Sequence, residues 1–124
     1  MVTAFDLART AYTNMGAPVR TARSIEYEAF ARVTRRLKSA IRSGDFPALA
    51  QAMHDNRRLW NHFAVHVADP ANALPTDLRA RLFYLADYTR ETTQKVLRRE
   101  IGAESLVDIN AAIMRGLRNG EEAT

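Results

Sequence analysis

A single antiparallel bundle of about five α-helices, three long and two short, is predicted by three features of the sequence. Apolar residues recur with a 3.6-residue period in five successive stretches. The five Gly and four Pro fall mostly between those stretches, where they punctuate helices. No stretch alternates apolar and polar residues as a half-buried strand does. At 124 residues the chain suits one domain, 1–124, with enough length to build a core.

The first helix is expected over Thr3–Asn14, with Ala4, Leu7, Ala8, Ala11, Tyr12 and Met15 on one side. Thr3 and Asp6 resemble a capping pair, and Gly16 with Pro18 ends the segment. Its many alanines leave little apolar area to bury, so residues 1–19 are expected to dock loosely. The second helix should start near Thr21 or Ser24 and run through Ser43 to a stop at Gly44. Ala22, Ala29, Phe30, Val33, Leu37 and Ile41 form its stripe. Glu26 also falls on that stripe and is read as an end-of-core acid paired with an arginine.

Asp45 is a good N-cap for a third helix ending at Ala68, since Asp69 precedes Pro70. Leu49, Met53, Asn56, Trp60, Phe63 and Val67 form its stripe, and Asn56 is expected to hydrogen-bond across the core. The connector Asp69–Pro75, DPANALP, leads into a fourth helix from Pro75 to about Arg99, ended by Gly102. Leu78, Leu82, Leu85, Thr89, Thr92 and Val96 line it, and Phe83, Leu97 and Ile101 widen the stripe into that of a central helix. The fifth, from about Ser105 to Leu117, turns Leu106, Ile109, Asn110, Ile113 and Leu117 inward. Gly120 stops it and residues 121–124 are expected to fray.

Composition excludes several function classes. Cysteine is absent, which removes disulfides, Cys-ligated zinc, iron–sulfur clusters and thiol catalysis. Mean hydropathy is −0.31, and the longest apolar run is the five residues Leu82–Ala86. A bilayer span needs about 20. The opening MVTAFDLART has no basic n-region before an apolar stretch, so a cytoplasmic protein is expected. No Gly-rich phosphate loop, GxSxG or GxGxxG is present, and the acids form no recognisable pair. His62 and His66 stand at i and i+4 with Asp69 a turn further on, a spacing that can hold a metal. The segment HFAVH nevertheless lacks the zincin glutamate, and two solvated histidines are the plainer reading. No enzyme activity, cofactor or metal is therefore expected.

Net charge is +4, with sixteen Arg against two Lys, and residues 20–44 alone carry +5. Arg32, Arg35, Arg36 and Arg42 make that helix a candidate RNA contact. The aromatics lie mostly on inward stripes, which leaves few platforms for base stacking. A solvated face is the plainer alternative. Recognition of a partner helix fits as well: moving the Ala-rich first helix aside exposes a groove on the broad fourth helix. Alternatively, the first helix simply belongs to the core.

The stretch Arg57–Leu82, RRLWNHFAVHVADPANALPTDLRARL, carries a more specific signal. Arg58, Leu59, Trp60 and Phe63 lead through Pro70, Asn72, Ala73, Leu74 and Pro75 into Leu78, Arg79, Ala80 and Leu82. Downstream come Leu106, Asp108, Ile109, Asn110, Ile113, Gly116 and Leu117, with Val107 where an isoleucine is usual. These two motifs, together with the length and the early Tyr12, resemble the FlaF family of flagellar biosynthesis regulators of alphaproteobacteria. The resemblance implies a small cytoplasmic helical protein without catalysis, needed for flagellin synthesis, secretion and filament assembly, acting beside the regulator FlbT. It implies a chaperone-like grip on an apolar flagellin helix before export. Phe5, Leu7 and Tyr12 on the first helix, and Arg58, Asn72 and Arg79 around the connector, are the expected contacts. The connector motif also has a purely structural reading, in which DPANALP fixes the turn and Trp60 and Leu78 pack across it.

Overall fold

The computed structural model describes residues 18–69, 71 and 75–122. Among them it shows four α-helices and no strand: α1 Pro18–Ser43, α2 Phe46–Ala68, α3 Thr76–Leu97 and α4 Glu104–Glu122. The all-α class holds, with four helices rather than five in the described chain. The helix expected over Thr3–Asn14 lies outside the described residues.

α1 starts several residues earlier than expected, at Pro18. A proline fits the first helical turn because its missing N–H is one the helix leaves unpaired there anyway. Gly44 ends α1 at φ 69°, donating its N–H to Ala40 O (3.2 Å) and Ile41 O (3.3 Å). Asp45 then caps α2, its Oδ1 accepting from Ala48 N at 3.2 Å. Two residues between helices force α1 and α2 antiparallel. Because Gly44 adopts a left-handed conformation that a Cβ disfavours, Gly44→Ala is expected to cost about 1–2 kcal/mol. Urea unfolding measures it, and a change below a few tenths would show that the corner relaxes.

α3 ends at Leu97 rather than near Arg99, and the reversal is made by a non-glycine residue, Arg99, at φ 61°. Its guanidinium lies 4.1 Å from the Phe46 ring centroid, a cation–π contact that offsets some of the backbone cost. α4 is a long helix of 19 residues rather than a short one. It runs past the expected stop at Gly120 to Glu122. A single glycine lowers helix stability without breaking the i→i−4 ladder, because its N–H remains.

Neighbours in sequence pack side by side, and α4 closes the ring against α1. The α3–α4 contact is the thinnest of the four. Two apolar clusters fill the ring. One joins Val33, Leu37, Met53, Val96, Ala103 and Leu106 at the end holding the α1–α2 turn. The other joins Phe30, Trp60, Phe63, Val67 and Ile113 toward the opposite end. There Phe30, Trp60 and Phe63 meet edge to face, with centroids 5.4–5.9 Å apart.

Between the clusters lies a buried polar layer. Asn110, fully buried, accepts from Trp60 Nε1 (2.9 Å) and donates to Asn56 Oδ1 (2.8 Å) and Thr34 Oγ1 (3.1 Å). The expected cross-core bond of Asn56 is therefore present. Thr89, Thr92 and Thr93 bring α3 into the same layer.

Candidate partner-binding groove

α3 was expected to be the central helix, and it is the least embedded. Its buried residues are Thr89, Thr92, Thr93 and Val96, all in its C-terminal half. Phe83, Leu97 and Ile101 do not widen a core stripe; they are 40–45% exposed. Leu78 keeps to the core line but is 40% exposed, whereas Trp60 is buried. The physical reason lies in the polar layer. Short threonines anchor one half of α3 while the other half holds only partly buried Leu82, Leu85 and Ala86 against the aromatic cluster.

The flanks of α3 and α4 show what this leaves open. On α4, the flank bearing Met114 faces α1, since Thr34 Oγ1 donates to Met114 Sδ at 3.9 Å. The opposite flank, which carries Ala112 and Gly116, therefore faces α3. α1 and α3 run parallel on one diagonal of the ring. The twofold relation of a four-helix ring maps the α1 flank that meets α2, marked by Glu26 and Arg36, onto the α3 flank that looks toward α4. Tyr84 and Tyr88 lie on that α3 flank. They are 69% and 43% exposed and stack with centroids 6.4 Å apart. Ala112 and Gly116 are exposed as well. Solvated residues thus lie on the two flanks that α3 and α4 turn toward each other.

Gly116 reinforces this reading. A glycine inside an exposed helix is about 1 kcal/mol less favourable than alanine. A Cβ at that position would meet nothing within 4 Å, so packing within the described chain does not require it.

On the other side of α3 from the two tyrosines, Arg90 Nη2 donates to Asp87 Oδ1 at 2.6 Å, and that hydrogen bond, then the charge of Asp87, raises the guanidinium's pKa above its ordinary value. A groove of about 290 Å³ lies between α1 and α4. Ile41 and Val107 form its floor, with Lys38, Arg42, Glu104 and Asp108 around it.

Of the expected site residues, Phe5, Leu7, Tyr12 and Asn72 lie outside the described residues. Arg58 is exposed on α2, roughly 15 Å of helix rise before Ala68, so it is not at the connector. Arg79 is half-buried in the first turn of α3. Arg32, Arg35, Arg36 and Arg42 are exposed along α1, where Arg36 Nη1 meets Asp55 Oδ2 at 3.3 Å. Glu26 has a histidine partner across the helix pair, His66 Nε2 at 3.4 Å. His62 and His66 are both exposed, and no group of three or more His, Asp or Glu among the described residues is placed to hold a metal ion. No described helix is long and apolar enough to cross a membrane.

Tyr84 and Tyr88 were missed from sequence. The inward reading of the aromatics holds for Phe30, Trp60 and Phe63 and fails for these two. Their signal was present, since both fall to one side of the Leu82–Leu85–Thr89 line.

The fold and its surface thus define an all-helical protein whose outward features are helix-lined grooves and a basic face. Comparison with protein families adds what it serves. The model described as "Flagellar protein FlaF" matches residues 8–117, and the chain belongs to the FlaF family. Comparison with curated proteins and with solved structures gives no match.

Proposed function

We propose that this protein is a non-enzymatic, cytoplasmic factor of flagellum biogenesis that holds flagellin in a chaperone-like way, receiving an amphipathic flagellin helix in the α3–α4 groove. Membership of the FlaF family supports the flagellar role. The observation that supports the mode of action is the solvated, stacked Tyr84–Tyr88 pair on the flank of α3 that looks toward α4, where Ala112 and Gly116 are exposed. Aromatic side chains on one wall give large contact area, and small residues on the other allow a helix backbone to approach closely. Leu78, nearer the connector on the same helix, is also exposed. Phe5, Leu7, Tyr12, Arg58, Asn72 and Arg79 remain the flanking contacts of the proposal, and FlbT is its second proposed partner.

Co-purification of the full chain with its cognate flagellin tests the reading. Wild type is expected to retain flagellin at micromolar concentrations. The double variant Tyr84→Glu/Tyr88→Glu, with an unchanged circular dichroism spectrum, should lose at least about tenfold in affinity, because charge is placed in an apolar contact. Flagellin that never co-elutes, or that binds both proteins equally, ends the proposal.

A second reading rests on the exposed arginines of α1, which suit flagellin messenger RNA. A complex made through phosphates weakens steeply as salt rises. No shift of the flagellin leader RNA at low salt removes this reading.

A further inference from the structure

We propose that the groove between α1 and α4 is the contact through which two copies of this chain pair, related by a twofold axis that runs along the helices. The proposal does not depend on what the protein holds, and it leaves the flank of α3 that carries Tyr84 and Tyr88 uncovered.

Three observations carry it. The first is an apolar floor between charged walls. Ile41 and Val107 are half-buried at the bottom of a groove of about 290 Å³, at the edge of the core cluster beneath it. Lys38 and Arg42 stand on the α1 side, Glu104 and Asp108 on the α4 side, and all four are exposed. An i, i+4 spacing puts both charges of a wall on one side of their helix. The second is that none of the four forms an ion pair with another described residue. Helix polarity accounts for acids near the start of α4 and bases near the end of α1. It gives no account of an open apolar strip between two walls of opposite charge that do not neutralise each other.

The third is symmetry. α1 and α4 are antiparallel neighbours, and their register is set by Thr34 against Met114 and by Ile41 sharing the floor with Val107. In that register the Lys38–Arg42 pair is level with the Glu104–Asp108 pair to within about 3 Å of helix rise. Two identical chains that meet through one patch need a surface that complements itself. A twofold axis in the plane of contact and parallel to the helices lays α1 of the second copy on α4 of the first, and its α4 on α1. The basic wall of each copy then meets the acidic wall of the other, over the joined floors of Ile41 and Val107. A twofold axis at right angles to the helices would set α1 on α1 and α4 on α4, base against base and acid against acid. Charge therefore selects the first arrangement and rejects the second.

The contact is small and its charges lie at a solvated rim, so the dimer is weak and sensitive to salt. α3 stays on the far side of each copy, and one assembly presents two Tyr84–Tyr88 flanks.

Sedimentation equilibrium of the full chain tests the pairing. At low salt the wild type is expected to pass from monomer to dimer as its concentration rises to on the order of 100 µM, and to dimerise at least about tenfold more weakly in roughly 0.5 M salt. Lys38→Glu/Arg42→Glu makes both walls acidic, and Glu104→Lys/Asp108→Lys makes both basic. Each protein alone should stay monomeric, while an equimolar mixture should recover a dimer. Circular dichroism checks that both remain helical. If either loses helix, the milder Arg42→Gln/Asp108→Gln takes its place and is expected to weaken dimerisation about tenfold and flatten its salt dependence. A wild type that stays monomeric throughout overturns the proposal and leaves the groove to an unlike partner. A dimer that the altered proteins retain in full also overturns it, by placing the contact on another face, and so does a mixture of folded reversed proteins that fails to pair. Flagellin is absent from every arm, so failed co-purification leaves this proposal standing and a monomeric wild type leaves flagellin binding standing.

Discussion

Asn110→Ala is expected to lower the unfolding free energy by about 3–5 kcal/mol, a large part of what a domain of this size has. Asn110 is fully buried and makes three side-chain hydrogen bonds of 2.8–3.1 Å to three different partners. Truncation strands the Trp60 indole N–H and the Asn56 carbonyl, each at roughly 1–3 kcal/mol when left unpaired in the interior. Loss of the side chain's own contacts adds to this. Asn56 Nδ2 and Thr89 Oγ1 already lack partners in the same layer, so each further unpaired group adds to an existing cost. Urea denaturation measures the change. A loss below about 1 kcal/mol would show that the layer does not hold the helices in register.

Phe30→Ala is expected to cost a comparable 3–5 kcal/mol by a different route. Phe30 is completely buried and lies between Trp60 and Phe63, each 5.4 Å away and edge on. Its removal leaves a cavity and two lost aromatic pairs, with no polar group stranded. The two effects are separable by repair. Phe30→Leu should recover much of the loss because it refills volume, whereas Asn110→Leu should recover little because the indole N–H stays unpaired. Trp60 belongs to both neighbourhoods, so the double variant should deviate from additivity by about 0.5–3 kcal/mol. Strict additivity would show that the aromatic cluster and the polar layer act independently.

The helices themselves were largely legible in the sequence because their punctuation is local. Gly44 sits where a left-handed residue is needed and Asp45 where an oxygen must accept from Ala48 N. The inward positions Phe30, Val33, Leu37, Trp60, Asn56, Leu106 and Asn110 repeat at the helical period and are buried. What periodicity does not carry is coverage. Leu78, Leu82, Leu85 and Thr89 form one continuous line, yet Leu78 is two-fifths exposed and Thr89 is buried, because only half of α3 finds neighbours. Nor does a stripe say which flank faces which helix. That Tyr84 and Tyr88 lie on the flank of α3 turned toward α4 emerges only from the closed ring α1–α2–α3–α4. Arg99 was unreadable for a related reason: its left-handed backbone is tolerated with help from Phe46, more than fifty positions away.

That distant contact also joins two corners of the ring: Arg99, in the turn after α3, rests on Phe46 at the start of α2. The C-terminal half of α3 is thus held by its buried Thr89, Thr92, Thr93 and Val96 and by the corner beyond it, while the N-terminal half is anchored through partly buried Leu82, Leu85 and Ala86 alone.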